Sequence, residues 1–270
     1  MAKTRPTPTS DAAEQAFLAT YDAALYPHPS VTVDVALVTA AQGRLKAVLI
    51  QRTEHPQRGR WSLPGGFVQM EESLDAAAAR VLKNKVGLSG IFLEQLYTFG
   101  EPQRDPRTRV ITIAYYALVD EALLSTARLQ HQRLVALHVP WAGEQGGSVQ
   151  AVDDKGQPLE LAFDHADILG LVVQRLRGKL NYAPIGFELL PREFTLRRLQ
   201  EIHETILGRS LNKDSFRRRL VASELIAPTG KLEGGVGHRP AELYSFRDKR
   251  SENKKRKPKA SLPSPSSRKE

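Results

Sequence analysis

The sequence has no cysteine among its 270 residues. Disulfides, zinc–thiolate sites and thiol nucleophiles are therefore excluded, which fits a reducing compartment. Long apolar runs are also missing: none approaches the roughly 20 residues of a membrane span. The Lys, Thr and Pro of the first ten residues do not make a secretory signal, so the expectation is a cytoplasmic protein without membrane contact. Net positive charge is small outside one place. Of the net +9, nine Lys or Arg against two Glu between Lys249 and Glu270 supply +7, leaving +2 for residues 1–248. That tail, with its Lys254-Lys-Arg-Lys-Pro-Lys run followed by Ser and Pro, reads as disordered. It is either a solubilising appendage or a non-specific contact for phosphate. The remaining length is enough for two domains.

From Asp11 to Tyr26 the spacing of Phe17, Leu18, Tyr21 and Leu25 is helical, and Pro27 and Pro29 end it. Val31–Val38 alternates and is β-branched, a strand with Val31, Val33, Val35 and Leu37 on one face. A turn at Gln42-Gly43 leads to a second strand over Leu45–Ile50. Ile91–Phe99, Arg109–Val119 and Leu134–Val139 read as further strands, and Glu144–Pro158 as a hairpin or flexible loop. Asp164 is placed to cap a helix over His165–Lys179 whose stripe is Ile168, Leu169, Val172, Val173 and Leu176. His165 is assigned to packing or solvent, and Asn181–Pro191 to a hinge.

The stretch from Gly65 to Leu88 organises the first domain. Gly66, Glu72, Arg80, Leu82, Gly87 and Leu88 stand where the Nudix box has its glycines, first glutamate, arginine and apolar positions, and the stretch resembles that box. The three later glutamates of the motif fall on Val81, Asn84 and Lys85. On a helix from about Ser73 to Val86 these positions share a face. In a working Nudix hydrolase that face offers carboxylates to Mg²⁺, which takes oxygen ligands and activates water against a pyrophosphate. Here it offers methyl groups, an amide and an ammonium, so we expect neither catalytic residues nor a metal site. Arginines surround the box, and guanidiniums converging on a cleft suit bidentate phosphate binding. Arg52, Arg60, Arg104 and Arg109 are the candidate phosphate partners, with Phe99 near a base and Gly66 and Glu72 completing the effector-binding set.

From Thr195 the chain changes character. Thr195 caps an amphipathic helix with Leu196, Leu199, Ile202 and Ile206 on one face, and Gly208–Leu211 makes a turn. A second, short helix follows from Asn212, with Phe216 and Leu220 buried four apart. It leaves Lys213, Ser215, Arg217, Arg218 and Arg219 outside, the composition of a recognition helix for a DNA major groove. The three consecutive arginines point around the helix, so not all of them can touch DNA. A hairpin with four glycines and Lys231, His238 and Arg239 near its tip reads as a wing. Thr195, Asn212, Lys213, Ser215, Arg217, Arg218, Arg219, His238 and Arg239 form the expected DNA-binding set.

A degenerate Nudix box in front, with Phe187-Glu-Leu-Leu-Pro-Arg-Glu-Phe-Thr-Leu-Arg-Arg-Leu-Gln, Phe216-Arg-Arg-Arg-Leu and Gly237-His-Arg-Pro-Ala-Glu-Leu-Tyr-Ser-Phe behind, resembles the Nudix-related transcriptional regulators called NrtR. The resemblance covers roughly residues 20–247. It implies an α/β Nudix sandwich with a mixed sheet followed by a winged helix-turn-helix. It also implies a homodimeric bacterial repressor of NAD biosynthesis or salvage genes, nucleoid-associated, bound to a double-stranded palindromic operator. ADP-ribose or an NAD-related nucleotide is the implied effector and releases the DNA; no cofactor is required. The rival expectation is an ADP-ribose pyrophosphatase with an accessory domain. The division expected is a flexible arm over 1–19, a Nudix-like domain over 20–182, the winged helix over 183–248 and a disordered tail over 249–270.

Overall fold

The computed structural model describes residues 12–126, 132–180, 189–235, 237 and 239–247. The basic tail, the first part of the arm and most of the 181–191 connection lie outside them. The described chain opens on α1 (Ala12–Thr20), which buries none of its residues, and a single 3-10 turn over Ala23–Leu25. The one helix expected over 11–26 is thus in two pieces. Thr20 donates its hydroxyl back to the Ala16 and Phe17 carbonyls, and Asp22 accepts from the Ala24 N–H. Local side-chain bonds end the helix before Pro27 does.

β1 (Ser30–Ala41) is the spine of the first domain, and its neighbour β2 (Arg44–Gln51) follows across a two-residue turn. Gln42 and Gly43 both take positive φ there, 54° and 69°, as a tight hairpin connection requires. β3 (Trp61–Ser62) pairs with β2, and β4 (Gly65–Phe67) pairs with β1. α2 (Leu74–Val86) starts where the Ser73 hydroxyl accepts from the Ala76 N–H, and ends at Gly87 in the left-handed conformation. β5 (Glu94–Phe99) begins three residues later than expected because Ile91 and Leu93 turn inward to pack beneath α2. β6 (Val110–Leu118) runs parallel to β1, in register from Ser30 opposite Val110 to Val38 opposite Leu118. After the short α3 (Glu121–Thr126) come β7 (Gln132–His138), β8 (Gln150–Val152) and β9 (Pro158–Leu159). The sheet runs β5-β6-β1-β2-β7-β8-β9 and is mixed.

Both faces of this sheet are covered. Val33, Val35 and Leu37 meet Ala77, Ala78, Val81, Leu82 and Val86 of α2. Ala36 and Val38 belong to the other core, with Ile168, Leu169, Val172, Val173 and Leu176 of α4 (His165–Lys179). This is the expected helix–sheet–helix sandwich.

The second domain is a winged helix. β10 (Phe194–Thr195), β11 (Ile226–Leu232) and β12 (Glu242–Phe246) form a sheet in the order β10-β12-β11 around α5 (Leu196–Leu207) and α6 (Lys213–Ala222). Between the helices Glu204 accepts from the Leu211 N–H and from the Gln200 amide, which fixes the turn after Gly208. Leu199, Ile202 and Ile206 of α5 are buried in the same continuous core as the α4 stripe, and that core extends to Phe216, Leu220, Ile226 and Tyr244. At about 1.5–3 kcal/mol for each large aliphatic side chain removed from water, this shared burial docks the winged helix on the first domain rather than leaving it tethered.

Candidate functional sites

The N-terminal end of α4, the 104–107 loop, β4 and the end of β2 enclose a cleft of about 430 Å³. Two of its arginines lie against aromatic rings. The Arg52 guanidinium sits 4.8 Å from the Phe163 ring centre and donates to the Pro56 carbonyl at 2.9 Å. Arg107 lies 5.5 Å from the Phe67 ring and forks onto the buried Asp105 at 2.7 and 3.0 Å. Burial, and then the nearby charge of Arg107, push the Arg52 guanidinium below its ordinary pKa. An anion entering here would relieve that penalty.

Deeper in the cleft, Arg104 grips Asp164 through two bonds of 2.6 and 2.8 Å. Its Nη2 is also 3.6 Å from Asp34, whose other support is the Thr112 hydroxyl at 2.7 Å. His165 is fully buried. Its Nδ1 accepts from the Leu63 N–H at 2.9 Å, which leaves the proton on Nε2, 3.7 Å from Asp34. Burial lowers its pKa, so the ring is held neutral as a fixed part of the wall.

The box helix does not complete a metal site. Val81 is buried, with a methyl 3.2 Å from where a Cβ on Gly66 would stand, so β4 lies close on α2 at Gly66. Asn84 is exposed, and Lys85 lines the cleft. Glu72 is turned away from the cleft and held by Arg80 at 2.5 and 2.9 Å and by the Gln69 N–H at 2.8 Å. The Arg80 hydrogen bond is the main reason its pKa falls to about 2. Arg80 also donates to the Phe67 carbonyl, so the pair braces the bend between β4 and α2. A divalent cation wants several oxygen ligands. The residues at the motif's ligand positions do not fit one, and among the described residues no cluster of three or more His, Asp or Glu is placed to hold a metal.

On the second domain, α6 presents Lys213, Ser215, Arg217, Arg218 and Arg219 to solvent, while Phe216 and Leu220 anchor it. Arg219 leans back over its own helix, its guanidinium 5.9 Å from the Phe216 ring. Arg217 is exposed but reaches the Tyr244 hydroxyl of β12, which leaves Lys213 and Arg218 facing outward.

Residues 28–142 match the NUDIX domain profile, and residues 186–246 match that of the NrtR DNA-binding winged helix domain. The ADPR responsive transcriptional repressor NtrR of Acinetobacter baylyi is 40% identical over 86% of this chain and 88% of its own length. The chain belongs to the NrtR family. Another member, NrtR of Shewanella oneidensis in complex with a 27mer DNA, superimposes with a TM-score of 0.63 at 31% identity, over 80% of this chain and 93% of that one. An ADP-ribose pyrophosphatase of Methanocaldococcus jannaschii is 32% identical over 54% of this chain and 73% of its own length.

Within this NrtR fold the residues expected from sequence divide sharply. Arg52, Gly66 and Arg104 line the cleft. Four others do not. Arg60 is paired outside it with Glu160 at 3.2 Å. Arg109 is exposed and does not line the cleft, its Nη2 lying 3.8 Å from where a Cβ on Gly100 would stand. Phe99 stands edge-on to Tyr97 and packs on the core. Glu72 is taken by Arg80. In the winged helix, Thr195 and Asn212 are helix caps: their side chains accept from the Arg198 and Ser215 N–H groups. Arg239 is exposed on the wing, and His238 lies outside the described residues. Sequence reasoning missed Arg107, Phe67, Phe163 and Asp34. Arg107 had a signal, since it lies in the same arginine-rich loop as Arg104; the two phenylalanines had none.

Proposed function

We propose that the chain is an ADP-ribose-responsive repressor of NAD biosynthesis or salvage genes, binding a palindromic operator as a homodimer and releasing it when ADP-ribose occupies the first domain. The observation that carries this reading is the pairing of two features in one continuously packed unit. One is a cleft rich in guanidinium groups whose box helix carries Val81, Asn84 and Lys85 in place of carboxylates; the other is a winged helix with an outward basic α6. The names of the relatives from Acinetobacter and Shewanella support the same reading. Arg52, Arg104 and Arg107 are the phosphate partners we assign, with Phe67 and Phe163 beside them. Lys213, Ser215, Arg217 and Arg218 take the DNA, phosphate contacts setting position and base contacts setting sequence. Two α6 helices in successive major grooves stand about 34 Å apart. The effector acts only so far as it prefers a dimer geometry that misses this spacing.

The test is direct. Duplexes captured by the protein from sheared genomic DNA are used in a mobility-shift assay with and without ADP-ribose, and AMP release is followed in parallel with Mg²⁺. One retained palindrome that is freed by ADP-ribose, without turnover, is the expected outcome. The pyrophosphatase relative gives the rival reading its footing. Release of AMP at about 1 s⁻¹ or faster, an ordinary enzymatic rate, together with indifference to every duplex, would establish the rival.

A further inference from the structure

The carboxylate of Asp164 is in the wrong place for its position in the chain. It occupies the N-cap of α4, where an Asp side chain ordinarily accepts from an N–H of the first turn and is favoured by the helix dipole. It makes no such bond. Both its oxygens go instead to Arg104, at 2.6 and 2.8 Å, with Arg104 only 5% and Asp164 18% exposed. Asp164 therefore has one partner in the cleft wall and, once its backbone turns from φ −96°, ψ 21° to the extended conformation of a cap, a second in the first turn of its own helix, where the Asp167 N–H now rests on the Asp164 carbonyl at 3.0 Å. A local rule broken at a cleft points to function.

The other end of the same helix holds the winged helix. Arg177, twelve residues beyond His165 and 4% exposed, donates to the Ile206 carbonyl at 2.9 Å, in the last turn of α5. It also donates to the carbonyls of Trp141 and Gly143 at 3.1 and 2.9 Å, and lies 4.7 Å from the Trp141 ring centre. A cation against the final carbonyls of α5 is where the helix dipole wants one. Between the two ends, Ile168, Leu169, Val172, Val173 and Leu176 are all 0% exposed, so α4 responds as a rigid rod of roughly 1.5 Å per residue. Gly170 lets the Gly147 backbone come where a Cβ would collide, which gives the rod a fixed point of contact near its middle.

We infer that Asp164 is the residue through which the cleft acts on the DNA-binding domain. A diphosphate that takes Arg104 repels the carboxylate already bound there, Asp164 moves to the first turn of α4, and the helix carries the change to Arg177 and α5. The inference rests on the reading of the cleft as the ADP-ribose site. Coupling between sites is reciprocal, so a substitution that favours the capped state strengthens ligand binding and weakens DNA binding together.

Asp164→Asn is the decisive substitution, because Asn caps helices well and has no charge to hold Arg104. In the full-length protein, calorimetry with ADP-ribose and anisotropy with the captured duplex are expected to show opposite changes. Affinity for ADP-ribose rises and affinity for DNA without ligand falls, each about tenfold, within the range of allosteric couplings. A merely structural role would lower both; equal losses, or no change in either, overturn the inference. Arg177→Lys tests the far end and decides alone if the first variant fails to melt cooperatively. It keeps the charge and loses the fork. It is expected to bind ADP-ribose and DNA separately as the parent does, yet to lose the release of DNA by ADP-ribose, whereas full release in this variant overturns the inference. If the parent protein itself shows no release, the functional reading has failed. If the parent releases DNA and Asp164→Asn behaves like it, only the role of Asp164 has failed.

Discussion

What an arginine can do depends on what already holds it. Arg107 and Arg60 make the point, since both flank the box region and both have a carboxylate partner. Arg107 lines the cleft beside Phe67 and Arg52 and is anchored on the buried Asp105, whereas Arg60, as exposed as Arg107, faces Glu160, which is itself 78% exposed. Hydrogen bonds to charged groups contribute about 1.5–3 kcal/mol, so Arg107→Ala is expected to weaken ADP-ribose binding by about 10- to 100-fold at roughly 1.4 kcal/mol per decade. Arg60→Ala should leave it within the small range of exposed ion pairs, about 0–1 kcal/mol. Calorimetry on both variants checks this, and equal losses would remove Arg107 from the site. The 100–109 loop was legible as arginine-rich, but which guanidinium turned inward was not. An irregular loop has no period of 2 or 3.6 to sort its residues into faces. Glu72 shows the same limit. Its place in the motif was plain, but its commitment to Arg80, eight residues on, exists only once β4 and α2 are bent against each other.

The helices and strands were read more securely than the side chains, because periodicity is a property of an element. β1 and α4 bury the apolar stripes expected of them, and α5 buries Leu199, Ile202 and Ile206 as expected, with Leu196 half-buried and Gln200 and His203 buried beside them. The failure at 11–26 came where short side-chain bonds at Thr20 and Asp22 outcompeted a continuous helix. For α6 the reading leads to a clean expectation: Arg218→Glu reverses an exposed charge on the outward face without touching Phe216 or Leu220. DNA affinity should fall and the salt dependence of binding should become shallower, while ADP-ribose affinity stays at the parent value. Loss of both would mean that the substitution had unfolded the chain.

α5 has an acid sensitivity of its own. His203 is buried against the Phe216 ring at 5.1 Å between centres, and its Nδ1 has no hydrogen-bond partner among the described residues. Burial first, and the charge of Arg219 second, lower its pKa from 6.5 to about 4. Because the folded value lies below the unfolded one, the unfolded chain binds this proton first. The contribution is complete above pH 6.5 and is lost as pH falls from 6.5 through 4. Melting temperatures recorded between pH 7 and 4 should drop less steeply for His203→Leu than for the parent; parallel curves would dismiss His203 as the cause.

At the scale of the whole molecule, one buried core runs through both domains, and the two are expected to unfold as a single unit. Ile206 is 0% exposed and belongs to the cluster that includes both the α4 stripe and Phe216. Its carbonyl also holds Arg177. Truncation of a buried isoleucine to alanine costs about 2–5 kcal/mol, which for a chain of this size lowers the melting temperature by roughly 5–15 °C. Where that loss is felt distinguishes docking from tethering. Both tryptophans, Trp61 and Trp141, lie in the first domain, so intrinsic fluorescence follows that domain, although the substitution is made in the winged helix. If burial across the seam couples them, Ile206→Ala lowers the fluorescence transition as far as the transition seen by circular dichroism, in one step. A fluorescence transition left at the parent temperature, with a separate earlier step in the dichroism, would mean that the winged helix unfolds by itself. α4 would then have no rigid partner at its Arg177 end through which to pass a signal from the cleft.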